Sequence, residues 1–461
     1  MSYTNGLDDP TIYFNTVLYT GNGSTNAITG VGFQPDWVSI KRRSGGASNG
    51  GVFDVVRGVT KLLSTGLSDA EDTRTDSLTA FGTDGFTLGA DTGNYVNTNS
   101  ETFVSWNWKA GGSAPAITYT VKVVSDSGNK YRFDDFGTSA VTLDLQEGGT
   151  YTFDQSDSSN SGHPLRFYTA SDKSGGEYTT GVTTSGTAGN SGAKTVITVA
   201  ASAPTLYYQC SNHAGMGGQA NTNSLFGSSN FSGSIQTLVS ANNTAGFSIV
   251  SYTGTGSNAT IGHGLGVTPA WILIKGTSFN EHWQVYHKSL GATKFIEFSN
   301  SNSSTTNSNR FNDTEPTSSV FTIGTKDAVS KSSATLIAYC FAEKKGYSKF
   351  GSYSGNSNAD GVFIYTGFKP RWFLCKSSNA AEGWNIWDSK RSSTGNPLNE
   401  ILQTDSGAEF TSTDWNIDFV SNGIKMRGSD GGFNYSGYNY IFMAFAESPF
   451  TNSNGVPTNA E

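Results

Sequence analysis

The sequence predicts an all-β protein composed of several domains. Three observations favour this class: 56 glycines among 461 residues, many serine, threonine and asparagine residues that disrupt helical periodicity, and a content of 20 Tyr, 29 Phe and 9 Trp. Aromatic residues suit the half-buried surface of a sheet, whereas glycine and small polar residues favour turns. A chain of this length exceeds one compact core, and the usual size of a domain predicts about three or four of them.

A repeated pattern indicates three copies of one unit. In each copy a Tyr-Thr-Gly or Tyr-Ser-Gly turn is followed by Pro-x-Trp, which opens an apolar strand that ends at a lysine. The motifs are Pro35-Asp36-Trp37, Pro269-Ala270-Trp271 and Pro370-Arg371-Trp372, and the lysines are Lys41, Lys275 and Lys376. The last strand of each copy alternates apolar and small residues, which predicts one buried face.

The spacing of these copies predicts four units. Repeats of about 100 residues are long enough to fold as domains and too long for solenoid units. We predict a string of β-sandwiches: repeat 1 at residues 1–116, an inserted domain at 117–239, repeat 2 at 240–348, and repeat 3 with a short C-terminal tail at 349–461.

The tryptophans of the repeats have two interpretations. An aromatic ring at the start of a strand buries a large area, so we expect Trp37, Trp271 and Trp372 to anchor cores. The alternative is that exposed tryptophans stack on sugar rings. Among the remaining residues with reactive side chains, we expect surface or turn positions for the histidines and buried thiols for the cysteines: His263, His282 and His287, and Cys340 and Cys375.

One loop of the inserted domain joins three metal-ligating residue types. The segment YYQCSNHAGMGG contains Cys210, His213 and Met216, and His163 lies 47 residues upstream of Cys210. A thiolate, imidazoles and a thioether are the ligands that select copper. The distance to His163 is about that needed to cross a small β-sandwich and return to the same end.

This part of the sequence resembles the cupredoxin family. The strand Glu147 to Phe153, the pair His163-Pro164 and the C-x-x-H-x-x-M loop at Cys210 are similar to the ligand regions of amicyanin-like members. The resemblance implies a Greek-key sandwich and a type 1 copper site, with His163, His213 and Cys210 equatorial and Met216 axial. The alternative is a sandwich that retains these ligands without copper or with another metal.

Composition and charge exclude several other classes of function. Charged residues are 14% of the chain and the net charge is −8, which argues against nucleic-acid binding. No apolar stretch approaches the length of a membrane span, and the N-terminus lacks the pattern of a signal peptide. Three cysteines cannot form a disulfide framework. No catalytic triad or phosphate loop is present, so we do not expect an enzyme.

The repeat consensus resembles a β-sandwich module of virion and tail-fibre proteins of bacteriophages of marine bacteria. The segments YTGNGSTNAITGVGFQPDWV, FDVVRG, FGTDGFTLG and FVSWNWKAGG of repeat 1 carry this resemblance. It implies a structural or adhesive role in a virion, with other virion proteins, further copies of this chain and a host-surface glycan or protein as partners. Two alternatives are a copper-binding redox protein and an array of carbohydrate-binding modules.

Overall fold

The structure, a computed structural model, describes residues 7–46, 49–112, 114–223, 226–392, 395–404 and 408–457. Within these ranges the chain forms 37 strands and two four-residue helices, α1 (Ser308–Phe311) and α2 (Asp327–Ser330). Two 3₁₀ turns span Pro10–Ile12 and Ser158–Asn160. The strands form several separate sheets, and the predicted all-β class is confirmed.

Repeat 1 contains a six-stranded and a three-stranded sheet. Its strands are β1 (Phe14–Thr20), β2 (Asn26–Thr29), β3 (Trp37–Arg42), β4 (Gly51–Asp54), β5 (Gly58–Leu63), β6 (Asp72–Thr73), β7 (Leu78–Gly82), β8 (Gly85–Leu88) and β9 (Thr102–Trp108). The larger sheet has the order β1-β9-β3-β4-β5-β6, and the smaller one has the order β2-β8-β7.

The inserted domain is a sandwich of two sheets. Its strands are β10 (Ala116–Ser125), β11 (Asn129–Phe133), β12 (Leu143–Gln146), β13 (Thr150–Asp154), β14 (Leu165–Tyr168), β15 (Val182–Ser185), β16 (Lys194–Thr198), β17 (Leu206–Cys210) and β18 (Gln219–Asn223). The sheets have the orders β11-β10-β13-β16-β15 and β12-β18-β17-β14. Their facing side chains form one core that is separate from the cores of the repeats.

Repeat 2 is built on the same plan as repeat 1. Its strands are β19 (Ser228–Asn230), β20 (Thr237–Asn242), β21 (Phe247–Thr253), β22 (Ala259–Gly262), β23 (Trp271–Gly276), β24 (Gln284–His287), β25 (Lys294–Glu297), β26 (Thr305–Thr306), β27 (Val320–Ile323) and β28 (Thr335–Phe341). The large sheet has the order β19-β20-β21-β28-β23-β24-β25-β26. Strands β19 and β20 begin before residue 240, and the predicted boundary there stays a prediction.

Repeat 3 completes the set. Its strands are β29 (Ser348–Ser354), β30 (Phe363–Tyr365), β31 (Phe368–Ser377), β32 (Asn385–Asp388), β33 (Glu400–Gln403), β34 (Phe410–Thr411), β35 (Ile417–Val420), β36 (Gly423–Met426) and β37 (Asn439–Pro449). The large sheet, β29-β37-β31-β32-β33-β34, follows the order of repeat 1 strand by strand. The three large sheets therefore share one topology.

The three repeats pack around one common core. Trp37, Trp271 and Trp372 belong to the same cluster of buried residues and are at most 7% exposed, which confirms that they anchor the core. The Trp37 ring lies 5.8 Å from Phe341 of repeat 2, and the Trp108 ring lies 5.8 Å from Trp372 of repeat 3. Repeats that are distant in sequence thus bury their aromatic rings against one another.

Hydrogen bonds between the repeats follow a cyclic pattern. In each repeat the residue that pairs with the Pro-x-Trp tryptophan, namely Asp54, His287 or Asp388, contacts the next repeat. Tyr339 Oη donates to Asp54 Oδ2 at 2.7 Å, and His287 Nε2 donates to the Phe442 carbonyl at 3.2 Å. Trp106 Nε1 donates to Asp388 Oδ2 at 3.1 Å and closes the ring. We call this assembly the three-repeat body.

The environments of the other histidines and cysteines differ in part from expectation. His287 is fully buried in β24, so the surface or turn position expected for it is wrong. His263 is buried in the connecting segment after β22, and His282 is half-buried in the segment before β24. Burial lowers the pKa of His287 to about 4. Cys340 and Cys375 are fully buried thiols, as expected, and burial raises the pKa of both.

Candidate metal centre

Strand pairing brings His163 beside Cys210. Strand β17 ends at Cys210, and the antiparallel strand β14 begins at Leu165, which pairs with Cys210. His163 lies two residues before Leu165, at the same end of the sandwich. A ladder of backbone hydrogen bonds between β14 and β17 therefore brings together two predicted ligands that are 47 positions apart in the sequence.

The loop after β17 adds the second imidazole. His213 Nδ1 lies 3.6 Å from Cys210 Sγ, and His163 Nδ1 lies 3.8 Å from the same sulfur. The two imidazole rings are 4.7 Å apart between centroids. One potential ligand atom from each of these three residues lies within 4.8 Å of the others. No second group of three such residues is found in the described part of the chain.

These separations fit ligands that share one ion. A metal with bonds of about 2.3 Å to sulfur and about 2.0 Å to nitrogen, at angles of about 110–120°, places sulfur and nitrogen about 3.5–3.7 Å apart. The two measured sulfur–nitrogen distances are close to this range. The donor set of one thiolate and two imidazoles is also the set that type 1 copper uses.

Burial distinguishes the four side chains. Cys210 is fully buried and Met216 is 1% exposed, and both belong to the core of the inserted domain. His163 is half-buried and His213 is exposed. The sulfur ligands thus lie on the core side of the cluster, and the imidazole of His213 faces solvent.

Buried polar side chains hold the backbone of His163. Its carbonyl oxygen accepts hydrogen bonds from Tyr131 Oη at 2.8 Å and from Gln155 Nε2 at 2.9 Å. Gln155 Oε1 in turn accepts from the Leu165 amide at 2.9 Å, so one amide side chain bridges both sides of Pro164. Such supporting hydrogen bonds orient a ligand before metal binds.

The ligand loop is held in a similar way. The Ser211 amide donates to the Pro164 carbonyl at 3.0 Å, and Asn212 Nδ2 donates to the Gly162 carbonyl at 2.9 Å. Lys173 Nζ donates to the Cys210 carbonyl at 3.2 Å. These bonds join the two loops that carry the imidazoles.

The protonation of His163 favours a role as a ligand. Burial, together with the neighbouring His213, lowers the pKa of His163 below its usual value and favours the neutral ring. A neutral imidazole is the form that binds metals. Its Nδ1 faces the sulfur, while its Nε2 lies 3.4 Å from Asn129 Nδ2. With Nδ1 bound to a metal, Nε2 carries the proton, and Asn129 accepts from it only when its side-chain amide is turned to present Oδ1 in place of Nδ2.

The structure also shows positioning residues that the sequence did not reveal. Tyr131, Gln155 and Asn129 lie on strands or turns outside the ligand loop, and Gln155 directly follows the Gly-Thr-Tyr-Thr-Phe strand. No spacing rule relates an amide or a phenol to a ligand whose backbone it supports. Only its position directly after β13 could have drawn attention to Gln155.

These features define an all-β protein with three fused repeats and an inserted sandwich that gathers metal-ligating side chains. The chain belongs to the family described as Domain of unknown function (DUF7483), which matches residues 9–144 and 219–449. The four predicted ligands all lie between the two matched segments. A comparison with curated proteins finds no match. No helix in the described ranges is long and apolar enough to cross a membrane.

Proposed function

We propose that this chain is a structural component of a phage particle, in a fibre, the tail or the capsid surface, and contributes to adhesion to the host surface. The observation that supports a structural role is the common core, in which the aromatic side chains of all three repeats pack into one body. The resemblance of repeat 1 to virion modules is the reason for assigning this structural role to a phage particle. The role is structural and not enzymatic.

The position on the particle is the direct test. Purified particles, labelled with an antibody against this chain and imaged, are expected to carry label at defined places on the virion. Crosslinking followed by mass spectrometry is expected to join the chain to other virion proteins and to further copies of itself. Particles that lack the chain altogether would refute the proposal.

A second function is favoured by the geometry of the metal centre. We propose that the inserted domain is cupredoxin-like and binds one copper ion through His163, Cys210, His213 and Met216. The observation that carries this proposal is the convergence of two imidazole nitrogens on one buried sulfur at 3.6 and 3.8 Å. Copper bound to a thiolate supplies one-electron redox chemistry, and it also stabilises the fold that presents its ligands.

The protein side chains have separate roles in this site. Cys210 supplies a thiolate from a dry environment, His163 is held in place by Gln155 and Tyr131, and the exposed His213 faces solvent. Met216 adds a thioether from the core side. The site is therefore formed largely before metal binds, apart from the exposed loop at His213.

Copper loading gives a direct prediction. Full-length protein titrated with Cu(II) is expected to develop an intense visible thiolate charge-transfer band that saturates at one copper per chain. The Cys210→Ala variant is expected to lose this band, because its only thiolate ligand is removed. Visible absorption spectroscopy and metal analysis make the measurement.

The chain offers a matched control for this experiment. Cys375→Ala also removes one buried thiol but lies in repeat 3, and it should leave the band unchanged. A colourless wild-type protein would refute the copper(II) site and with it electron transfer. A band that persists in Cys210→Ala would show that the copper is bound elsewhere.

A further inference from the structure

A groove between repeats 2 and 3 has the features of a ligand site. It encloses about 960 Å³ and is lined by the loop before β23, by the junction that joins the two repeats, and by the end of β30. This volume lies at the upper end of the range for ligand pockets. The inserted domain, which carries the candidate metal centre, contributes none of the groove's lining residues.

The charge of the groove is opposite to that of the chain. Four lysines and one glutamate line it, whereas the whole chain has a net charge of −8. The glutamate is already paired, since Lys288 Nζ and Lys349 Nζ donate to the two carboxylate oxygens of Glu343 at 2.5 and 2.7 Å. The lysine side chains therefore leave a net positive charge in the groove.

The remaining lysines belong to the junction itself. Lys344 and Lys345 follow Glu343 directly, and Lys345 is exposed. Lys344 Nζ donates to the carbonyl of Asn243, a residue outside the groove lining, so Lys345 is the junction lysine chosen for substitution. An ammonium group is a compact point charge that binds carboxylates and sulfates without a fixed bidentate geometry.

An exposed aromatic ring also lines the groove. Tyr365, at the end of β30, is 60% exposed, and its neighbours in the groove, Val267 and Phe450, are 40% and 36% exposed. A side chain on Gly367 would come within 3.6 Å of the Tyr365 hydroxyl, so the phenol ring lies over this glycine. The ring thus has a defined orientation, with much of its surface open to solvent. This is an apolar surface with a polar tip.

We propose that this groove binds an acidic polysaccharide, with the apolar face of a sugar ring on Tyr365 and its carboxylate or sulfate groups near the lysines. The exposed hydroxyl of Thr268 in the lining provides a hydrogen-bond partner for sugar hydroxyls. The inference names the ligand class for the proposed adhesion and rests on that role for its biological use. The binding itself is a property of the purified chain.

The test measures binding of purified full-length protein to four probes. Polygalacturonate presents carboxylates on sugar rings, dextran sulfate presents sulfates on them, dextran is neutral, and polyglutamate presents carboxylates on a peptide. We expect binding to at least one acidic polysaccharide, with at least tenfold weaker binding to dextran and polyglutamate. The preferred acidic probe identifies the anionic group.

Variants locate the binding site. Tyr365→Ala and Lys345→Glu are each expected to weaken binding at least tenfold, and because both side chains are exposed, thermal unfolding should be unchanged. The matched controls are Tyr435→Ala, another exposed tyrosine of repeat 3, and Lys194→Glu, an exposed lysine of the inserted domain. Neither control lines the groove.

Several outcomes would overturn the inference. No binding to either acidic polysaccharide, or equal affinity for polyglutamate, removes the ligand class. A loss in Lys345→Glu without any loss in Tyr365→Ala reduces the effect to charge attraction and removes ring stacking. Particles that lack the chain refute the proposed adhesion even if the groove binds polysaccharide, so the two failures are distinguishable.

Discussion

Trp283 and Trp384 each join two neighbouring repeats through a hydrogen bond from the indole N–H to a backbone carbonyl. Trp283 Nε1 donates to the Ser64 carbonyl at 2.7 Å, and Trp384 Nε1 donates to the Glu297 carbonyl at 2.9 Å. Repeat 1 has Gly50 at the equivalent position, two residues before Val52 in β4. A side chain there would come within 2.8 Å of Thr65 Oγ1, and the φ angle is +71°. The contact between repeats 1 and 3 therefore depends on interactions other than a tryptophan hydrogen bond.

Asp36 is a single residue with a testable effect on stability. It is 1% exposed, and its Oδ2 accepts from the Ala110 amide at 2.7 Å. Burial raises its pKa from 3.8 to about 6. The folded state therefore holds the proton more tightly than the unfolded state, and the stability present below pH 3.8 is lost as the pH rises to about 6.

Replacing Asp36 removes this pH dependence. Between pH 4 and pH 7 the wild-type protein is expected to lose about 3 kcal/mol of stability relative to Asp36→Asn, as follows from a shift of about two pKa units. Urea unfolding of both proteins at each pH measures the difference. The same pH profile in the two proteins would show that Asp36 does not titrate in this range.

At the scale of elements, the central strands of the large sheets are buried on both faces, whereas the edge strands β6, β26 and β34 are not. In β23, Trp271 and Leu273 face the common core, while Ile272 and Ile274 face a second core that is formed by residues of repeat 2. All six residues of β23 are buried. The final strands β9 and β28 are also buried along nearly their whole length, so the single buried face predicted for them is wrong. Burial on both faces explains the continuous apolar run after each Pro-x-Trp.

A short turn after β32 joins repeat 3 to repeat 1. Arg391 Nε donates to Asp388 Oδ2 at 2.5 Å, and both side chains are completely buried. Arg391 also donates to Glu409, which accepts two further bonds from Arg43 of repeat 1 at 2.9 and 3.0 Å. This network joins repeat 3 to repeat 1, the contact at which the tryptophan hydrogen bond is absent because Gly50 occupies the equivalent position. A similar pair, Asp54 and Arg57, faces repeat 2.

Breaking this network should destabilise the three-repeat body. Asp388→Asn leaves the buried Arg391 guanidinium without its closest counter-charge and weakens the acceptor for Trp106. The expected loss in the free energy of unfolding is about 3–5 kcal/mol. Urea unfolding followed by tryptophan fluorescence measures it.

An exposed ion pair provides the matched control. Lys122 and Asp135 lie 2.7 Å apart, but their side chains are 35% and 67% exposed. Asp135→Asn is therefore expected to change stability by less than about 1 kcal/mol. Equal effects of the two substitutions would contradict a structural role for the buried network.

At the scale of the whole molecule, the inserted domain and the three-repeat body have separate cores. The core of the insertion contains only residues between Tyr119 and Phe231, and all nine tryptophans lie outside residues 117–239. The two ends of the insertion are close together, since the Gly111 amide donates to Ser240 Oγ at 3.1 Å. The chain therefore leaves the three-repeat body and returns to it at adjacent points, and the inserted domain lies between them.

Excising the insertion should leave the body folded. Replacement of residues 113–226 by a flexible linker of about six residues leaves β19 and Ile235 of repeat 2 in place. It is expected to preserve the tryptophan emission spectrum and to abolish copper binding, because the Gln146 side chain bonds both the Gly112 carbonyl and the Gly227 amide and the linker can span this short gap. In contrast, deletion of repeat 3 should shift the emission to longer wavelength, since it exposes Trp37 and Trp108 of the common core. An emission shift in the first variant would show that the body depends on the insertion.

The sequence by itself determined the β class and the three repeats, and it predicted His163, Cys210 and His213, which the structure brings together. These properties are local: composition sets the preference for strands, Pro-x-Trp marks each strand start, and the C-x-x-H-x-x-M loop places three ligand types within seven residues. His163 was found because its separation from Cys210 matches a crossing of a sandwich. The copper and particle roles stay predictions.

Only the tertiary structure decided how the repeats pack together. An apolar strand predicts burial, but it does not say whether its second face meets a sheet of its own repeat or another repeat. The buried His287, the Asp388–Arg391 network and the groove at Tyr365 all lie where repeats meet, and each includes contacts between residues from different repeats. Such contacts depend on the relative placement of whole sheets, which no local pattern encodes.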